Sequence, residues 1–96
     1  MKRTTAKHNV QIDDDRVRVT RWDFAPGEQT GWHRHEMDYV VTLLTDCHFM
    51  LEEPDGQVRE VEMTAGESYR RSVGVSHNVI NGGAAPMSFV EVELKD

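Results

Sequence analysis

Three histidines carry the chemistry to be expected of this chain. His33 and His35 stand one residue apart in the stretch Gly27-Glu-Gln-Thr-Gly-Trp-His-Arg-His-Glu-Met-Asp-Tyr39. His77 follows in Gly66-Glu-Ser-Tyr-Arg-Arg-Ser-Val-Gly-Val-Ser-His-Asn-Val-Ile-Asn81. Neutral imidazole is the commonest protein ligand for transition metals. Successive residues of a strand point to opposite faces, so a His-x-His pair aims both rings the same way. That is the arrangement needed to hold one metal ion inside a small β-barrel. Tyr39 has the same parity as the histidines, so its phenol is expected on their side.

Other reactive side chains are read beside their bland alternatives. Arg70 and Arg71 are neighbours, so alternation sends one inward and one outward. An inward arginine would clamp a carboxylate in bidentate fashion, whereas the alternative is a solvated pair near a barrel rim. Arg71 is taken as the candidate, together with Tyr39. His48 either lines the barrel or sits on its outer face, and His8 is assigned no role. The single cysteine, Cys47, excludes an intramolecular disulfide and reads as a small buried hydrophobe.

The elements that must position these residues are short strands. Arg16–Phe24 alternates polar and apolar residues, and Ala25-Pro26-Gly27 ends it. One strand is expected over Trp32–Thr45, with His33, His35, Met37, Tyr39, Val41 and Leu43 on one face. Cys47–Glu52 and Val58–Met63 flank Pro54-Asp55-Gly56, a strong hairpin signal. Ser68–Ser72 and Ser76–Ile80 are separated by Gly74. Met87–Leu94 closes the series, with Val90, Val92 and Leu94 on one face and Phe89, Glu91 and Glu93 on the other. Turn signals at this spacing predict an all-β sandwich or barrel without substantial helix. Residues 1–15 read as an N-terminal segment with a first short strand, the polar residues 1–9 being loose, and 16–96 as the barrel.

Composition narrows the function classes. The chain has 96 residues and a net charge of −6, which argues against a nucleic-acid partner because that requires a basic face. No apolar run approaches the ~18 residues needed to span a membrane, and Met1–Asn9 lacks the apolar core of a signal peptide. A cytoplasmic location is expected. Trp32, Val40 and Leu44 have outward parity, and apolar residues outside so small a barrel suggest a homodimer.

The spacing resembles that of the cupins. Their first motif runs Gly, five residues, His-x-His, three or four residues, Glu, six residues, Gly; here Gly27, His33 and His35 fit. Their second runs Gly, five residues, Pro-x-Gly, two residues, His, three residues, Asn; here Gly66, Gly74, His77 and Asn81 fall in register. The resemblance covers roughly residues 16–94. Three positions depart from it: Tyr39 stands where the glutamate ligand is usual, Asp46 replaces the closing glycine, and Ser72 replaces the proline.

The resemblance implies a small jelly-roll barrel binding one divalent transition metal ion (Fe, Zn, Ni or Mn) on His33, His35 and His77. It implies an enzyme acting on a small organic molecule, either dioxygenase-like or a Lewis-acid isomerase. The alternative is a non-catalytic sugar- or metabolite-binding module.

Overall fold

The computed structural model describes residues 3–95 and contains nine strands among them, with no helix. They are β1 (Lys7–Asp13), β2 (Val17–Phe24), β3 (His33–Arg34), β4 (Asp38–Leu43), β5 (Cys47–Glu52), β6 (Val58–Met63), β7 (Ser68–Arg71), β8 (Ser76–Asn81) and β9 (Met87–Leu94). Two antiparallel sheets face each other, ordered β1-β2-β9-β4-β7 and β3-β8-β5-β6. The short, regularly punctuated strands predict a sandwich or barrel, and this is the jelly-roll form of it that the resemblance implies.

Register sorts the inner face of the five-stranded sheet into cross-strand rows. Phe24 pairs with Met87; Trp22 pairs with Phe89, which pairs with Leu43. The next row is Thr20, Glu91, Val41 and Tyr69, and the last is Arg18, Glu93, Tyr39 and Arg71. Along the strands the interior thus passes from wholly apolar to mixed and then to polar. The apolar rows meet Cys47, Phe49 and Leu51 of β5, all buried, to form the core. Phe89 bridges the sheets, with ring centroids 5.5 Å from Phe24 and 5.8 Å from Phe49. Burying such side chains contributes about 1.5–3 kcal/mol each, so this half is the anchor on which the polar half is mounted.

Two expectations require correction. The stretch Trp32–Thr45 is two strands in different sheets. Parity alone cannot reveal this, because the alternation of buried residues persists across the crossover. The break is tertiary: His35 donates its N–H to the Val75 carbonyl (2.8 Å), its carbonyl accepts from Gly74 (2.9 Å), and Asp38 Oδ1 accepts from the Val73 N–H (2.7 Å). These bonds pull the chain out of one sheet before β4 joins the other.

The N-terminal residues are also more ordered than their polarity suggests. Lys7, His8 and Asn9 belong to β1, Ala6 is buried, and its N–H bonds the Gln29 carbonyl at 2.7 Å. Only residues 1 and 2 of the segment expected to be loose lie outside the described residues. In β9 the face carrying Phe89, Glu91 and Glu93 turns inward, while Val90, Val92 and Leu94 face out.

Candidate metal centre

His33 and His77 are direct cross-strand partners on β3 and β8, which places their rings side by side (centroids 4.8 Å apart). His35 follows β3 at the crossover and is held by its two backbone bonds to the Gly74–Val75 segment. Gly74 adopts φ +98°, a conformation that costs an L-residue about 1–2 kcal/mol and lets this turn face the His35 carbonyl. As a result His35 Nε2 lies 3.0 Å from His33 Nε2 and 3.2 Å from His77 Nε2.

The three nitrogens fit a metal ion. Ligands about 2.0–2.1 Å from one ion, at right to tetrahedral angles, stand about 2.9–3.4 Å apart. Tautomer chemistry agrees for His33: its Nδ1 lies 2.9 Å from the Gly31 carbonyl, which can only accept, so Nδ1 carries the proton and Nε2 keeps its lone pair. Burial pushes His35 down to about 3 and His77 to about 4, with help from their histidine neighbours and Arg71. Both imidazoles are therefore neutral near pH 7, the form that binds a metal.

Tyr39 is wholly buried and stacks on His35, with centroids 3.8 Å apart and planes at 21°. The stacking fixes the imidazole plane. Among the described residues its buried hydroxyl has no hydrogen-bond partner, and burial pushes the phenol up to about 12. The position that would carry a carboxylate in the motif therefore carries a neutral donor. Asp38, the nearest acid in sequence, points away and serves the Val73 turn.

Two cavities adjoin the histidines. A small one of about 50 Å³ is bounded by His33, His77, Tyr39, Tyr69 and Glu91 among others. A larger one of about 230 Å³ opens between the edge strands β6 and β7. Its walls combine Phe49, Leu51 and Val61 with Arg59, Arg70, Arg71 and His77. Arg71 pairs in register with the inward Tyr39 and is half-buried, whereas Arg70 pairs with the outward Val40 and is exposed. The inward arginine is thus Arg71. Arg59 is already paired with Glu53 at 2.8 Å.

His48 lies on the outer face of β5, 3.3 Å from Glu62 and 3.6 Å from Glu60, away from the three histidines. His8 stacks on Trp22 (4.7 Å). Asn81 clamps the following turn: its amide donates to the Phe24 and Ala85 carbonyls, and its Oδ1 accepts from Gly83 N–H. Asp46 does similar work by accepting the Ala65 N–H at 2.9 Å.

Sequence reasoning passed over Glu91 and Glu93. Each offers a ligand atom within 4.8 Å of the other and of one from His35. Burial and the neighbouring Glu93 raise Glu91 to about 7. The signal was the Met87–Phe89 parity of β9, which carries on to Glu91 and Glu93.

A family model described as "Cupin domain" matches residues 20–93. Beta-alanine degradation protein BauB of Pseudomonas aeruginosa is 50% identical over 93 residues, covering 97% of each chain. A crystal structure of a cupin domain from Bordetella pertussis is 51% identical, covers 100% of this chain and 99% of its own, and superposes with a TM-score of 0.94. The polyketide cyclase RemF of Streptomyces resistomycificus is 25% identical, with a TM-score of 0.73 over 100% of this chain and 71% of its own. Motif spacing, sheet topology and these likenesses converge: the chain belongs to the cupin family.

Proposed function

We propose that this cupin acts on a small organic acid at a single metal centre held by His33, His35 and His77. The observation that carries the reading is the convergence of three Nε2 atoms, His35 Nε2 lying 3.0 Å from that of His33 and 3.2 Å from that of His77. The ion would be Fe, Zn, Ni or Mn; iron would supply dioxygenase chemistry, and the others Lewis acidity for an isomerisation.

Arg71 receives the substrate's carboxylate in the cavity between β6 and β7, whose apolar wall excludes water from the remainder of the molecule. Tyr39 holds the His35 ring by stacking and offers its unpartnered hydroxyl as a donor to a substrate oxygen. Both are catalytic residues in this reading. The relative named for β-alanine degradation supports a small acid as substrate. A homodimer fits the apolar outer row Ile12, Val19, Val92 and Val40.

Purification without a metal-affinity tag, followed by elemental analysis and reconstitution, tests the centre. About one ion per chain is expected; no ion retained and none taken up would overturn the reading. Oxygen uptake with a panel of small thiols, diketones and short carboxylic acids then separates dioxygenase from isomerase. The alternative, a non-catalytic binding module, is favoured by one observation, Tyr39 in the carboxylate's place. It predicts saturable binding of a panel acid with no turnover by any metal form.

A further inference from the structure

The three-histidine set is neutral, so a divalent ion on it would bring two uncompensated positive charges into the barrel. Tyr39 stands where the motif carboxylate belongs, and a phenol of ordinary acidity does not replace that charge near neutral pH. The same cavity that His33, Tyr39 and His77 line has one carboxylate in its wall, that of Glu91.

Register places Glu91 on the inner face of β9 between Thr20 and Val41, where its side chain is half-buried. Among the described residues it has no ion pair and no hydrogen bond, and its electrostatic environment consists of burial and a like-charged neighbour. A carboxylate in such a place is costly unless a cation meets it. Glu93 differs, because Arg18 lies 3.8 Å from it. A second group in the same cavity is also without a partner: the fully buried hydroxyl of Tyr39.

We infer that Glu91 supplies the carboxylate ligand that the first motif lacks, approaching the three-histidine centre from β9 instead of β4. The inference rests on the metal centre proposed above. A Glu91 oxygen lies within 4.8 Å of a His35 nitrogen, as one of Glu93 does, and of the two only Glu91 lines the cavity shared with His33 and His77. Glu91 also converts a neutral ligand set into a singly anionic one, the charge that the usual motif provides through a different strand.

Titration of metal-free protein with Co(II), followed by visible absorption and calorimetry, tests this without any substrate. Glu91→Gln keeps the shape of the side chain and removes an unpaired buried charge. It is expected to weaken Co(II) binding by at least about tenfold and to alter the absorption bands, which report the ligand set. Glu93→Gln should bind within about twofold of the unaltered protein, as befits a residue outside the ligand set. Equal affinity and identical bands in Glu91→Gln would overturn the role of Glu91 while leaving the histidine centre standing. An equal loss in Glu93→Gln would also overturn it, because the effect would then be one of general charge. Failure of the unaltered protein to bind Co(II) would remove the centre itself, and this inference with it.

Discussion

The two sheets bring different chemistry to the same interior. The four-stranded sheet contributes His33 and His77, direct partners across β3 and β8, with the His33 tautomer set by a backbone carbonyl. The five-stranded sheet contributes Glu93, Tyr39 and Arg71 in one row, with Glu91 in the next. The first wall is neutral, and its ring geometry is fixed by local backbone. The second carries the charge, and several of its polar groups lack partners. A wall whose groups are satisfied is built to hold something in one place; a wall with unpartnered donors and acceptors is built to meet a ligand. His35 joins the two, bonded to the Gly74–Val75 turn and stacked on Tyr39.

Breaking the histidine wall should have the largest effect. His77→Ala removes the nitrogen opposite His33 and is expected to weaken metal binding more than about 100-fold, beyond the range seen when outer partners of ligands are lost; metal stoichiometry after gel filtration reads this. Arg71→Ala, on the other wall, should retain the metal while raising KM for a carboxylate substrate about 10- to 100-fold, the worth of a charged hydrogen-bonded pair. Lost metal with unchanged KM would move Arg71 from substrate binding to support of the centre.

The walls also respond to pH with opposite sign. His35 and His77 have folded values of about 3 and 4 against 6.5, so their contribution to stability is present above pH 6.5 and is lost as pH falls toward those values. Glu91 has a folded value of about 7 against 4.5, so its contribution is present below pH 4.5 and is lost as pH rises through 7. Urea unfolding of metal-free protein should therefore show Glu91→Gln gaining on the unaltered protein as pH rises from 4.5 to 7. A constant difference across that window would contradict the opposition. The smallest effect is expected from Tyr39→Phe. Deleting a buried hydroxyl without a partner should keep the metal and leave stability equal or up to about 1 kcal/mol higher, while turnover falls. Unchanged turnover would reduce Tyr39 to a stacking surface.

Much of this was legible in the sequence. The strands Cys47–Glu52, Val58–Met63 and Met87–Leu94 lie where alternation and turn residues put them, because a half-buried strand records its burial every second residue. A first short strand was expected within residues 1–15, but the start of β1 at Lys7 was not legible, since all seven of its residues are exposed and its order comes from pairing with β2, which leaves no apolar pattern. The break between β3 and β4 was missed for the opposite reason, since parity is unchanged while the hydrogen-bonding partner switches.

The sequence by itself determined that His33 and His35 share one side, since strand parity is a local property of the backbone, whereas Tyr39 meets them from the other sheet, across a crossover that only the tertiary structure makes. Motif spacing added His77 to the two histidines. Only the tertiary structure decided that Arg71 rather than Arg70 turns inward, and that Glu91 and Glu93 reach the same interior from a strand more than fifty residues beyond His35 in the chain. Register between distant strands is set by how the apolar rows of β2, β4 and β9 pack. A residue at the polar end of those rows goes where the packing carries it.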